Sequence, residues 1–567
     1  MTTPTAGSPV QRLRSVPFTA VPRMSALFRD YLYAPERVAS FYDHPWTGVD
    51  GLRALAPKIA AAALQRDRVA DVLAGQNRRY GSSELALEHV EMLRHPESVA
   101  VVTGQQAGLF GGPLFTIYKA LSAIQLAAQL REQGTRAVPV FWIASEDHDF
   151  EEVNHVTVAS RTGQLATVRV EPCGYAPDQP VGNVALCAEI GEKIDEFFAS
   201  LPSTVFSEQL RADLAASYAP NVGFAEGFAR LMARLFAPFG VVLLDPLDPD
   251  LKALASPTYA AAIRRSPEIA DALVARSREL VESGYHAQVH TAPDMVSLFI
   301  MEDERRRAMI RRDGRFELKT GERSYSTDDL LQFAEDCPGC LSPNVTLRPA
   351  VQDTLLPTVA YVGGPAEVAY FAQLQPVYHL VDRPMPVIVP RASATIVDRE
   401  SAKTLDRFRI GFEELFEDDD VVIRKIVERS VDESTAHLFD RTEGELQANL
   451  EQLQTALAGV DATLVKSLEL SRRKMLYQLG KLRTKFVHRA AEHDAAIRGR
   501  LGSLQAHVHP NHGLQERSLN AYTYLVMTGY RLVEDLAMAV DSELRDHQIL
   551  DLGGISSQVF TASDDGR

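Results

Sequence analysis

Asp147, His148 and Asp149 stand in a row, and residues of those types can do chemistry. An imidazole flanked by two carboxylates can serve as a general base, bind an ammonium or help hold a metal ion. Upstream, Thr103, Gly104, Gln105 and Gln106 set two adjacent carboxamides at the end of an apolar run. Carboxamides hydrogen-bond a neutral or anionic ligand without carrying a charge themselves. Asn344, Arg348, Gln352 and Asp353 bring polar groups to the start of another apolar run, and the Arg348 guanidinium can grip a carboxylate bidentately. Gly364 and Glu367, just past that run, are further candidate contacts, and His286, Gln288 and His290 make a similar polar approach to a strand. His155 offers a second imidazole near His148 but no third metal ligand is evident, so no metal is expected.

The elements around these residues predict one crevice. Val99 to Val102 reads as a buried strand, and the loop after it contains Gly104, Gly108, Gly111 and Gly112. Pro113 suits the first turn of a helix, and Leu114, Ile117, Leu121, Ile124 and Ala128 recur at helical spacing to give one apolar face. Gly134 can end that helix before a second strand, Val138 to Ala144, which releases the chain into the acidic trio. This is a right-handed βαβ crossover, with an anion-favouring helix start and an acidic loop at the edge where open α/β sheets bind ligands. The loop is neither GxGxxG nor a Walker A motif, and Lys119 lies too far into the helix for a phosphate-binding lysine.

Composition narrows the class. The chain has 567 residues, 46% hydrophobic and 24% charged, with net charge −16. That describes a soluble globular protein and argues against a nucleic-acid partner, which needs a basic surface. No apolar run is long enough to span a membrane and the N-terminus has no secretory h-region, so the cytoplasm is expected. Cys337 and Cys340 form a CxxC, which could be half of a zinc site with Cys173 and Cys187. The second pair matches no zinc knuckle, and the expectation is plain loop thiols.

Along the rest of the chain, the first hundred residues read as helices at Pro57 to Leu64, Asp67 to Leu73 and Ser82 to Leu93. Val156 to Val170 alternates as a hairpin, and Phe206 to Phe236 is helical. Gly240 to Pro246 is a third core strand; Pro267 to Ser283 is a helix and Val296 to Ile300 a strand. Leu356 to Val362 is a strand followed by Gly363-Gly364-Pro365 and a helix, repeating the arrangement at Gly111-Gly112-Pro113. Val387 to Pro390 is the last core strand, with Arg391, Ser393 and Thr395 beyond it. From about residue 440, Leu446, Leu450, Leu453, Leu457, Val460 and Leu464 form a heptad seam that stutters at Leu468 and resumes at Met475, Leu479, Leu482 and Phe486. It reads as one long coiled-coil helix, and Gln515 to Ala539 as a final helix.

The segments TGQQAGLFGGPLFTIYKALSAI, PVFWIASEDHDFEEVNH, GYHAQVH, LRPAVQDTLLPTVAYVGGPAEVAYFAQL, KMLYQLGKL and HPNHGLQER together resemble the cysteine-adding ligase family of bacillithiol biosynthesis. The resemblance runs over nearly the whole chain. It implies a cytoplasmic enzyme that joins cysteine to the amine of glucosaminyl malate, giving the thiol bacillithiol. It also implies nucleotide (ATP or ADP) binding and a homodimer paired through the coiled coil. The implied fold is α/β: a Rossmann-like parallel-sheet core, two connecting-peptide insertions and a long C-terminal helical coiled coil. The core looks similar to class I aminoacyl-tRNA synthetases, although the HIGH and KMSKS signatures are lacking.

The resulting division is core over 1–155, 206–294 and 341–400, insertions over 156–205 and 295–340, coiled coil over 401–515, and a C-terminal helix and tail over 516–567. On this reading Thr103, Gly104, Gln105, Gln106, Asn344, Arg348, Gly364 and Glu367 bind substrate. Asp147 or Asp149 holds an ammonium, and His148 takes a proton from the attacking amine. The alternatives are a metal-dependent hydrolase using the Asp147-His148-Asp149 loop and a nucleotide-sensing coiled-coil scaffold.

Overall fold

The computed structural model describes residues 10–62, 64–160, 162–430, 433–459, 462–492 and 495–553. Its centre is a sheet of five parallel strands: β1 (Val99–Gln105), β2 (Ala137–Ile143), β3 (Val242–Leu244), β4 (Thr358–Gly363) and β5 (Val387–Pro390). Their spatial order is β5-β4-β1-β2-β3, the doubly wound arrangement in which the chain reverses direction between β4 and β1. Residues of β1 and β2 are buried except Gln105 at the cleft end of β1, as expected of strands with helices on both faces.

Helix α1 (Phe115–Glu132) connects β1 to β2, and α2 (Pro365–Leu380) connects β4 to β5. A single apolar stripe was expected on α1. Instead it is buried nearly all round, Lys119 included, because the sheet covers one side and the helix Arg531–Ala539 packs on another. Gln125 ties that second contact, donating to the carbonyls of Ala537 and Val540 at 2.8 and 2.7 Å.

The chain divides by internal contacts into two units. The first comprises the described parts of Met1–Arg161, Leu165–Thr395 and Leu514–Leu550, and it holds the parallel sheet. It also holds the hairpin His155–Ala159 with Leu165–Arg169. A second sheet, antiparallel, runs in the order Ser324–Tyr325, Arg315–Leu318, Arg305–Arg312, Met295–Glu302, Leu341–Pro343. The second unit, within Thr162–Gln164, Ile396–Gly513 and Asp551–Arg567, is helical.

Several sequence expectations need correction. The long helix is divided among the described residues: Ala495–Val508 is separate, and the seam lies on α3 (Glu433–Ala458) and α4 (Ala462–Glu492), interrupted at Gly459. They run antiparallel, since Asp440 meets Arg483 at 3.0 Å and Glu451 meets Arg472 at 3.9 Å. Part of the heptad seam therefore closes within the chain; Val460 lies outside the described residues. The expected final helix is three short ones, Gln515–Ser518, Tyr522–Thr528 and Arg531–Ala539. Gly529 breaks it at φ +66, where a Cβ would press on the Phe206 ring. The helix expected over Pro57 to Leu64 is Val49–Ala60, with Pro57 inside it. The strand Gln11–Val16 and the helix Pro249–Arg264 were not anticipated. All four cysteines, expected as loop thiols, are in disulfides: Cys173 with Cys187, and Cys337 with Cys340. Tertiary folding brings the first pair together across a loop that spacing alone does not close.

Among the described residues, no helix is long and apolar enough to cross a membrane. Gly104 illustrates how tightly the core is built: a Cβ there would lie 2.8 Å from the Trp142 carbonyl oxygen on the adjacent strand. Gly104→Ala should therefore lower unfolding free energy by about 1–3 kcal/mol, read from urea denaturation.

Candidate functional site

A cleft of about 500 Å³ opens at the carboxyl ends of the parallel strands, at the switch point between β4 and β1. β1 contributes Gly104, Gln105 and Gln106; the chain after β2 contributes Glu146 and Asp147. β4 and the start of α2 contribute Tyr361, Gly364 and Glu367, and Arg391 follows β5. Arg306, Pro343 and Asn344 enter from the antiparallel sheet, and Arg348 from the helix Arg348–Leu355.

Its floor is a buried ion pair. Lys119 of α1 meets Glu367 of α2, and its ammonium also donates to the Gly104 carbonyl at 2.7 Å and Gln105 Oε1 at 3.0 Å. Glu367 in turn accepts from the Gly364 N–H and the Tyr361 hydroxyl, both at 2.7 Å. Burial opposes charge on Glu367, but Lys119, the Gly364 N–H and the Tyr361 hydroxyl together outweigh it and hold the carboxyl below its usual range. Burial also pulls the Lys119 ammonium below its ordinary value, with Glu367 resisting and Arg391 and Arg348 adding to the fall. By sequence Lys119 lies too far into its helix for a phosphate-binding lysine, yet it lines the cleft. A lysine among Ile117, Ala120 and Leu121 on a buried helix was the signal that could have found it.

Cationic and anionic groups divide the cleft. Arg348 is half-buried and lies within reach of the Tyr370 hydroxyl; its Nη1 donates to Gln352 Oε1 at 3.1 Å, while its enclosed Nη2 has no close partner among the described residues. Trp142 Nε1, beside it in the wall, is likewise without a partner among them. The half-buried Arg348 guanidinium in the cleft wall suits a carboxylate or phosphate oxygen. Arg391 packs over Phe115 and is held by Glu516 at 2.6 Å, which also accepts from Ser393 Oγ at 2.8 Å and the Ala394 N–H at 3.0 Å. Ser393 further contacts Nδ1 of His547 at 2.7 Å, a ring whose burial lowers its pKa to about 4. Arg517 adds an exposed cation at the rim.

The opposite wall is acidic. Gln106 Nε2 donates to Asp147 Oδ2 at 2.7 Å and to Glu152 Oε2 at 2.8 Å, clamping two carboxylates side by side. Glu146 is buried against Lys252, and Ser342 Oγ donates to it at 3.0 Å. Arg306 reaches Ser342 Oγ at 2.9 Å and stacks over Phe299. Burial lowers its pKa, opposed by Glu146 and Asp147.

The expected site residues separate into two groups. Gly104, Gln105, Gln106, Asp147, Asn344, Arg348, Gly364 and Glu367 all line the cleft. Thr103, His148 and Asp149 do not. Thr103 is buried and donates to the Val362 carbonyl at 2.9 Å, tying β1 to β4. Asp149 caps the helix Phe150–Val153 by accepting from the Glu152 N–H at 3.2 Å. His148 turns its ring against Phe299, with Nδ1 3.4 Å from Arg306 Nη1. The tight turn after β2 explains this: Asp147 Oδ1 accepts from the N–H groups of His148 and Asp149, which sends their side chains elsewhere. The trio does not gather ligand atoms for a metal. Among the described residues only Cys173, Cys187 and Glu189 cluster closely enough, and those two sulfurs are bonded to each other. His286 and Gln288 bond each other at 3.0 Å, away from the cleft lining.

The anion site expected at the start of α1 is also displaced. Gly111 and Gly112, at φ +93 and +68, fold the loop back under the C-terminal segment. There Asn520 Nδ2 donates to the carbonyls of Phe110 and Gly112, and the Leu114 N–H reaches the Leu519 carbonyl at 2.8 Å. The second strand–Gly-Gly-Pro–helix unit lines the cleft with Gly364, Pro365, Ala366 and Glu367 at its helix start, and the start of the first adds Phe115.

Two family profiles cover the sequence. Residues 12–392 match "Bacillithiol biosynthesis BshC, N-terminal Rossmann-like domain", and residues 394–552 match "Bacillithiol biosynthesis BshC, C-terminal coiled-coil domain". A protein of Salinibacter ruber named "Putative cysteine ligase BshC" is 37% identical over 558 residues, covering 96% of this chain and 99% of its own length. One of the same name from Solibacter usitatus is 35% identical over 530 residues, covering 94% and 98%. A solved structure titled as a putative arginyl-tRNA synthetase of Campylobacter jejuni aligns over 83% of this chain and 98% of its own, at 8% identity. Its TM-score of 0.23 carries no argument about fold or function.

Beneath the cleft, Asp353 accepts from the Tyr378 hydroxyl at 2.6 Å and Gln352 Nε2 at 2.9 Å, and burial pushes its carboxyl from 3.8 up to about 6. The native state thus holds this proton more tightly than the unfolded chain. The stabilisation is complete below the unfolded value and is lost as pH rises through the native one. Asp353→Asn cannot titrate there. Its stability relative to wild type should climb by about 2–3 kcal/mol between roughly pH 4 and pH 7, measured by urea unfolding across that range.

Proposed function

This chain belongs to the BshC family of bacillithiol biosynthesis, and we propose that its cleft joins the carboxyl group of cysteine to the amine of glucosaminyl malate, giving bacillithiol. The observation that carries the reading is that one crevice holds the cations Arg306, Arg348, Arg391 and Arg517 together with the carboxylates Asp147 and Glu152 that Gln106 clamps. A malate carboxylate suits the Arg348 guanidinium in the cleft wall. An amino group suits the carboxylates that Gln106 clamps.

In the reaction, the glucosamine nitrogen attacks the cysteine carboxyl carbon, a C–N bond forms and the C–O bond to the leaving group breaks. Asp147 takes the proton that the amine sheds, held in place by Gln106 and by the N–H groups of His148 and Asp149. Lys119, with Gln105, keeps the strand end beneath the reacting groups fixed. A nucleotide, when bound, supplies the phosphoryl or adenylyl group that turns a carboxylate oxygen into a leaving group. Arg391, Arg517 and the start of α2 are the residues that would hold its phosphates.

The pure protein with cysteine, glucosaminyl malate and ATP should yield bacillithiol together with AMP or ADP. Absence of product with every nucleotide tried would overturn the assignment. Arg348→Gln should raise KM for glucosaminyl malate about thirtyfold with a smaller change in kcat. Asp147→Asn should lower kcat about a hundredfold, whereas His148→Ala should keep activity within about threefold of wild type.

The same reading extends to a cytoplasmic homodimer paired through α3 and α4. Its support is the apolar surface those helices leave exposed: Leu453, Leu464, Leu470, Met475 and Leu482, with Leu470 at 62% and Leu482 at 57%. Light scattering should give a dimer for wild type and a monomer for Leu470→Glu/Leu482→Glu.

A further inference from the structure

We infer that Cys337 and Cys340 are a thiol–disulfide exchange site, at which a low-molecular-weight thiol opens the disulfide and slackens one wall of the cleft. Both cysteines are partly exposed and Gly339 between them is exposed, so a small thiolate can reach the bond. Cys337 ends the helix Thr327–Asp336, and its N–H bonds the Phe333 carbonyl at 2.9 Å. Cys340 leads directly into Leu341–Pro343.

That three-residue strand is what couples the disulfide to the cleft. It lies at the edge of the antiparallel sheet and pairs on one side only, with Met295–Glu302. Each of its residues nonetheless holds a charged group. The Leu341 carbonyl accepts from Lys252 at 3.1 Å; Ser342 Oγ donates to Glu146 at 3.0 Å and accepts from Arg306 at 2.9 Å; the Pro343 carbonyl accepts from Arg306 at 2.5 Å. Glu146, Arg306 and Pro343 all line the cleft. The disulfide anchors the entry to this strand beside the Cys340 N–H bond to the Cys337 carbonyl at 2.7 Å, and opening it removes one of the restraints on the turn. The other disulfide, Cys173–Cys187, touches none of these groups and serves as an internal control.

The chemistry balances. A thiolate RS⁻ attacks one sulfur, forming a mixed disulfide and releasing the other sulfur as a thiolate, which takes a proton. A second RSH resolves the mixed disulfide, leaving two protein thiols and RSSR. The protein disulfide is reduced by two electrons and the two small thiols are oxidised. That the enzyme's own product is such a thiol rests on the proposed function, and would make the site a brake that product accumulation applies. The exchange itself does not depend on that reading.

The test uses the full-length protein equilibrated with mixtures of 2-mercaptoethanol and its disulfide. Differential alkylation read by mass spectrometry reports each cysteine pair separately, and hydrogen exchange reports residues 339–346. Cys337–Cys340 should be reduced by thiol at about 5 mM, before Cys173–Cys187. Reduction should speed amide exchange at Leu341 and Ser342 about tenfold and slow ligation about fivefold. Cys340→Ser should show the exchange rates of the reduced protein in every mixture. A pair that stays oxidised, or reduction that leaves exchange over 339–346 unchanged, overturns the inference. Absence of ligation in both redox states would instead count against the proposed function, with alkylation and hydrogen exchange still deciding this one.

Discussion

The buried contact between Lys119 and Glu367 is the constraint on which the cleft depends. It joins two helices that follow the two strands on either side of the topological switch point. A charge withdrawn from water must be paired and hydrogen-bonded, and breaking such a pair by removing one partner costs several kcal/mol. Here the bonds are supplied: the lysine also reaches Gly104 and Gln105, and the glutamate accepts from Gly364 and Tyr361. Two βα units are thereby locked together at the place where a crevice opens between them.

Around that floor, the charges of the cleft serve two ends. Glu146 is neutralised by Lys252, so that pair shapes the wall without demanding a ligand, while Glu516 fixes the direction of Arg391 at the cleft. Arg348 differs, because no carboxylate pairs with its half-buried guanidinium among the described residues, and a bound anion can supply that charge. Asp147 differs in the opposite sense: partly exposed, fixed by its neighbours' N–H groups and by Gln106, it offers a carboxylate in a defined place. A cleft with an anion-hungry end and an ammonium-binding end suits substrates that carry both charges.

The repeated strand–Gly-Gly-Pro–helix pattern shows how one local motif serves two purposes. In the first copy, positive-φ glycines fold the loop under Leu519 and Asn520, and the helix start is used for packing. In the second, the helix start is open to the cleft and capped by Glu367. Local sequence cannot distinguish them, since the difference lies in a segment some four hundred residues away.

Periodicity and turn chemistry made much of the frame legible: the five parallel strands, the glycine loop, the hairpin, and the heptads of the C-terminal part. So were Gln106, Asp147 and Arg348 as members of one site. What the chain alone determined was which segments are buried and which strand ends carry polar residues, because burial follows side-chain type at short range. The directions of side chains were decided in the folded molecule. His148 faces away because its own N–H binds the preceding aspartate, Lys119 matters because a distant glutamate meets it, and the seam divides into antiparallel helices at Gly459. Such outcomes depend on partners far apart in sequence, whose pairing only packing and the satisfaction of buried polar groups can select.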